Sequence, residues 1–122
     1  MKFDKILAAI RNNNSRYYSW SMKFIVHHKN ENMIRLVRRI GYRMLDFNNE
    51  TGEYNLVCPV GGGYYPRFHV YLKQEVKTGD FYFNLHLDHK KPSYEGVHAH
   101  SGEYDGALVE EEAGRIKTIL SM

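Results

Sequence analysis

Two runs of alternating apolar and polar residues lie on either side of a short polar break. The first is Phe68-His69-Val70-Tyr71-Leu72-Lys73-Gln74-Glu75-Val76, and the second is Phe81-Tyr82-Phe83-Asn84-Leu85-His86-Leu87-Asp88-His89. A period of two marks a strand with one face buried. The break, Lys77-Thr78-Gly79-Asp80, holds a glycine that can supply the positive φ of a tight connection. A four-residue loop there pairs Val76 with Phe81, Leu72 with Leu85 and Val70 with Leu87. The opposite face then sets Glu75 against Tyr82, Lys73 against Asn84, Tyr71 against His86 and His69 against Asp88. An odd-numbered loop would mix the two sets, and such a slip carries apolar side chains to the wrong face.

The remaining pattern frames this hairpin. Phe3, Ile6, Leu7 and Ile10 are spaced as a helical stripe, which predicts a helix over residues 2–11 ended by Asn12-Asn13-Asn14-Ser15. From Arg16 to His28 the period returns to two. Tyr18, Trp20, Met22, Phe24 and Val26 share one face, and Tyr17, Ser19, Ser21, Lys23 and Ile25 the other. A second helix follows with Asn30 as N-cap, a stripe of Met33, Ile34, Val37 and Ile40, and Gly41 as its stop. Glu31 stands four residues before Arg35, an ion-pair spacing. Tyr42–Phe47 and Tyr54–Cys58 predict another hairpin across Asn48–Glu53. A last helix over residues 106–121, with Asp105 as N-cap, carries Val109, Ala113, Ile116 and Leu120 on one side. Its Glu110, Glu111 and Glu112 precede Arg115 and Lys117, an order that suits the helix dipole. The expected fold is α+β, a single domain. A twisted, mainly antiparallel sheet of about four to five strands packs against two or three helices, in the order α-β-α-β-β-β-β-α.

Three short segments share one pattern of hydroxyl, glycine, acid and aromatic: Thr51-Gly52-Glu53-Tyr54, Thr78-Gly79-Asp80-Phe81 and Ser101-Gly102-Glu103-Tyr104. We read this as reused turn chemistry and not as a duplicated domain. Pro59 to Pro66 holds three glycines but lacks both the P-loop and the dinucleotide-binding pattern, so a flap beside the site is expected there. Residues 89–104 show no period. Loops of that length are often functional, and this one is expected to fold over the hairpin, bringing Lys90, Lys91, Tyr94, His98, His100 and Glu103.

Composition narrows the class. The 122 residues are 43% apolar and 25% charged, ordinary for a soluble domain. Ten tyrosines and one tryptophan favour half-wet surfaces and base stacking. The net charge of +3 rises as any of the seven histidines is protonated, which permits a polyanion partner without requiring one. A single cysteine, Cys58, excludes an internal disulfide and a cysteine-based zinc cluster. With no leader-like start and no long apolar run, the expectation is a cytoplasmic protein without membrane contact.

Candidate chemistry gathers on the hairpin's polar face. His69, Tyr71, Lys73, His86 and Asp88 could form an acid–base site, because two imidazoles and a cation suffice to cleave RNA through its 2′-hydroxyl without a metal. Arg35, Arg38, Arg39 and Arg43, with Lys90 and Lys91, are the candidate nucleic-acid contacts, since arginine offers a fork to phosphate. The plain alternative is a solvated face and a solvated helix. A second reading assigns His69, His86, Asp88, His98 and His100 to zinc or another divalent transition metal in a metallohydrolase. A third is a protein-binding module such as an antitoxin or inhibitor. His98-Ala99-His100 with Glu103 resembles the cupin metal motif over six residues, but the spacing to the Glu is short and the strands are too few for a jelly roll. Helices before an antiparallel sheet are similar to the architecture of compact toxin-type ribonucleases. The leading expectation is a small nucleic-acid-binding protein acting as a metal-independent ribonuclease, with no cofactor and RNA as partner.

Overall fold

The computed structural model describes residues 4–11, 16–27, 30–89 and 102–122. Among these, β1 (Asp4–Arg11), β2 (Arg16–Val26), β3 (Arg43–Asn48), β4 (Glu53–Pro59), β5 (Arg67–Gln74) and β6 (Phe81–Asp88) form one sheet, with α1 (Met33–Ile40) and α2 (Gly102–Leu120) as the helices. The strand order is β1-β2-β6-β5-β4-β3, and every neighbouring pair is antiparallel. The segment holding α1 carries the chain from β2 to the far edge, β3. A meander then returns it, so β6 docks between β5 and β2 in the interior of the sheet. This is an α+β fold.

Period two decides which face is covered. Met22, Phe24 and Val26 of β2, Phe68, Val70 and Leu72 of β5, and Phe81, Phe83, Leu85 and Leu87 of β6 are all buried in one cluster. Leu36, Val37 and Ile40 of α1 and Val109, Ala113, Ile116 and Leu120 of α2 complete it. Phe24 and Phe83 stack across the β2–β6 pair with ring centroids 4.8 Å apart. Both helices therefore lie on one face, and the polar residues of β5 and β6 are left on the other. A buried bonding group locks the helices together. The Tyr42 hydroxyl donates to Glu112 Oε2 at 2.6 Å, and Arg115 donates to both Glu112 oxygens at 2.7 and 2.8 Å and to the Ile40 carbonyl at 2.6 Å.

The first element departs from its expectation. Residues expected to form a helix over 2–11 include strand β1, paired with β2 from Asp4↔Lys23 to Arg11↔Arg16. A helix this short is marginal alone, whereas a long β2 offers a full ladder of partners. The helix-first order shared with toxin-type ribonucleases is thus absent, and the sheet has six strands where four to five were expected.

The central hairpin keeps its faces but shifts its partners. The Glu75 N–H donates to the Asp80 carbonyl, so the four-residue loop is Val76–Gly79, one residue earlier than expected. Val76 is 96% exposed and does not pair. His69 now opposes His86, Tyr71 opposes Asn84, Lys73 opposes Tyr82, and Arg67 opposes Asp88. The two-residue shift preserves parity.

The echoed turns prove identical. Gly52 and Gly79 sit at φ 78° and 79°, and their N–H groups donate to the carbonyls of Asn48 and Glu75, each four residues back at 2.8 Å. Thr51 and Thr78 accept from the N–H of Glu53 and Asp80 at 3.3 and 3.1 Å. In the third copy Gly102 opens α2 instead.

The helix ends also move. The N-cap of α1 is Asn32, whose side chain accepts from Arg35 N, and Asn30 instead adopts a positive φ of 58°. Leu36 is buried in the stripe, while Ile34 is 62% exposed. Glu31 pairs with Arg39, not Arg35, because it lies before the cap and reaches past the first turn. Asp105 is not an N-cap. It lies buried inside α2 and meets His89 Nε2 at 2.7 Å, which ties the end of β6 to that helix. Glu112 likewise serves the core bonding group, not the dipole alone.

Candidate active site on the open sheet face

Cross-strand register sorts the open face into rows. Residues directly opposite one another share a face, and successive rows on that face lie two residues apart, about 6.7 Å. One row runs Ser21, His86, His69, Val57 and Arg43 across β2, β6, β5, β4 and β3. The next runs Lys23, Asn84, Tyr71, Asn55 and Asp46. Beyond it come Ile25, Tyr82 and Lys73, and on the other side of the histidine row are Asp88 and Arg67.

The two histidines occupy contrasting surroundings. His69 Nδ1 lies 3.0 Å from Asp88 Oδ2, and its Nε2 meets the side-chain amide of Asn55. The Asn55 amide can serve either form of the ring: its oxygen accepts from a protonated Nε2, and its NH2 donates to a bare one. His86, with its ring centroid 6.4 Å away, has a buried Nε2 without a hydrogen-bond partner among the described residues. Burial lowers the His86 pKa, helped by the positive charges of His69 and Lys23 and opposed by Asp88. Its neutral form is therefore favoured. Burial would raise the Asp88 carboxyl, but the hydrogen bond from His69 and the charges of His69, Arg67 and His86 outweigh it and hold the group below its ordinary range.

Tyr71 joins the two rings. Its centroid lies 4.6 Å from His69 and 5.6 Å, edge-on, from His86. Burial, followed by Asp88, Glu53 and Asp46, pushes its hydroxyl pKa up, so it stays a donor. Arg67 Nε stands 3.6 Å from Asp88, and its guanidinium lies 4.7 Å above the Tyr65 ring. On one side of Tyr71 a groove of about 510 Å³ is bordered by Lys23, Lys73, Tyr82 and Asn84, with Glu53 shared between it and the next cavity. On the other a cavity of about 360 Å³ is bordered by Asp46, Glu53 and Asn55.

Of the candidate residues, His69, Tyr71, His86 and Asp88 come together, and Lys73 borders the groove. Arg43 lies at the far end of the histidine row on an exposed edge strand. Arg35, Arg38 and Arg39 do not join them, because α1 packs on the opposite face. Arg39 is engaged there with Glu31 and with the Ile119 carbonyl at 2.6 Å. Lys90, Lys91, Tyr94, His98 and His100 fall outside the described residues, as does most of the loop expected to cover the site. Of that loop, residues 102–104 belong to α2. Asn55, Arg67 and Lys23 were missed from sequence, although Lys23 stood on the polar side of the β2 alternation. No group of three or more His, Cys, Asp or Glu arranged to hold a metal ion occurs among the described residues. No helix among them is long and apolar enough to cross a membrane. No protein-family model, curated protein or solved structure matches the chain.

Proposed function

We propose that the open sheet face is the acid–base site of a small ribonuclease that works without a metal. The observation that carries this reading is the contrast between two opposed histidines: one is held toward its neutral form by burial and has a buried Nε2 without a partner among the described residues, and the other is bracketed by Asp88 and Asn55. His86 takes the proton of a ribose 2′-hydroxyl. The freed oxygen attacks the adjacent phosphorus, and the bond from phosphorus to the 5′-oxygen breaks. His69 gives its Nε2 proton to that leaving oxygen, with the Asn55 amide turning to meet the bare nitrogen. The products are a 2′,3′-cyclic phosphate and a 5′-hydroxyl. Asp88 keeps the His69 ring oriented through Nδ1, and Lys23, Lys73 and Arg67 offset charge on the phosphate.

The test is cleavage of a mixed RNA pool in the presence of chelator across pH. A bell-shaped profile is expected, and His86→Ala and His69→Ala should each lower the rate by about 10²- to 10⁴-fold. Undiminished cleavage by both variants would overturn the assignment.

One observation favours a second reading as a protein-binding module. Every residue of edge strand β3 is exposed, including Met44, Leu45 and Phe47 at 36, 41 and 44%. Open edges invite strand addition. A tight protein complex that survives loss of both site histidines would support that reading over the catalytic one.

A further inference from the structure

We infer that Tyr65 and Arg67 form a stacking platform for a nucleobase on the leaving side of the scissile phosphate, so that the substrate is single-stranded RNA extending beyond the cut. This rests on the ribonuclease reading for the identity of the ligand. Strand β5 presents Arg67, His69 and Tyr71 at every second position on the open face, with Arg67 opposite Asp88. Just before β5, the Val60 N–H donates to the Pro66 carbonyl at 3.0 Å and closes residues 60–66 into a loop. That loop leaves Tyr64 and Tyr65 76 and 41% exposed. The Arg67 guanidinium lies 4.7 Å from the centroid of the Tyr65 ring, so a cation and an aromatic plane stand together. Its Nε is buried without a hydrogen-bond partner among the described residues, and stands 3.6 Å from Asp88. Asp88 is itself matched by His69, so its charge does not repel a phosphate brought to Arg67. Charge also sets the direction of the strand. Glu53 borders both cavities beside Tyr71 and Asp46 borders one, which disfavours a polyanion at that end. In the proposed reaction His69 protonates the leaving oxygen, so the leaving strand starts beside β5. Successive open-face positions lie about 6.7 Å apart, which puts Arg67 and then Tyr65 within reach of the nucleotides after the cut. Stacking needs a bare π face, which every base offers and a duplex hides. The platform therefore ignores sequence and selects single strands.

The test compares three substrates in chelator: a short single-stranded RNA, the same RNA annealed to its complement, and a nucleoside 3′-phosphate methyl ester, which has no leaving base. Binding is measured separately with an all-deoxy single strand, which cannot be cut. The wild type is expected to cleave the single strand about 10-fold or more faster than the duplex. In Tyr65→Ala the ratio of kcat/KM for the single strand to that for the methyl ester should fall about 10-fold, mainly through KM. Tyr65→Phe, which keeps the ring, should restore that ratio. A ratio unchanged in Tyr65→Ala would overturn the platform and leave the ribonuclease reading standing, as would a duplex cut as fast as the single strand. If no substrate is cleaved, the ribonuclease reading falls and the deoxy strand decides the platform alone. Binding about 10-fold weaker in Tyr65→Ala than in Tyr65→Phe would then uphold it, and equal binding or none would overturn it.

Discussion

At the scale of single residues, His86, the proposed general base, carries a cost in stability. The unfolded chain titrates it near the ordinary 6.5, whereas the folded chain binds its proton less readily. Above pH 6.5 both states are neutral at this position and no penalty arises. As pH falls through 6.5 toward the lower folded value, the unfolded state gains protons first and stability declines. Thermal melts from pH 8 to 5 should show that decline in the wild type, and His86→Gln should lack this part of it. Asp88 acts in the same direction at lower pH. Its depressed carboxyl contributes stability that is present above about 3.8 and lost as pH falls through the folded value. Asp88→Asn should lower kcat with little change in KM, since it frees the His69 ring and leaves the groove intact. Most of this set was legible in sequence because parity alone puts His69, Tyr71, His86 and Asp88 on one side. Asn55 and Arg67 were not, because their places depend on the β4–β5 register and on a strand beginning at Arg67, neither of which the alternation specifies.

At the scale of elements, local chemistry is reliable where it is self-contained. The Thr-Gly-acid turns are read correctly because threonine, glycine and acid complete their own hydrogen bonds within one loop. Gly52→Ala and Gly79→Ala should each cost about 1–2 kcal/mol, because a Cβ is disfavoured at left-handed φ. Urea unfolding would measure it, and no loss at either position would show that the turn relaxes. Where an element depends on a distant partner, the pattern misleads. Residues 6–10 carry a run, Ile-Leu-Ala-Ala-Ile, that fits helix and strand alike, and β2 decides between them. At the opposite end, Gly106 gives α2 its seat. A Cβ there would sit 3.1 Å from Trp20 Cε2, so Gly106→Ala requires Trp20 to give by a few tenths of an ångström, an offset to the helix propensity that alanine gains, and the melting temperature reads the balance.

At the scale of the whole molecule, the helices and the histidine row occupy opposite sides of one sheet. The fold class was legible because alternation and helical spacing segregate along the chain. The separation of the α1 arginines from the histidines was not, because it follows from the crossover after β2. The helical side is closed by Tyr42, Glu112 and Arg115. Glu112→Leu should leave the buried Tyr42 hydroxyl unpartnered and cost about 1–3 kcal/mol, read from denaturant unfolding, without moving the pH dependence of the open face. The alternation along β6 has one more consequence. Abundance in the cell answers to stability, whereas catalysis answers to the site. A saturation scan of Phe81 to Asp88 that scores expression and activity separately should therefore give two interleaved combs. Positions 81, 83, 85 and 87 lower both scores, while 86 and 88 lower activity in protein that still accumulates. Selection can then retune the chemistry of this strand one tooth at a time, without renegotiating the core.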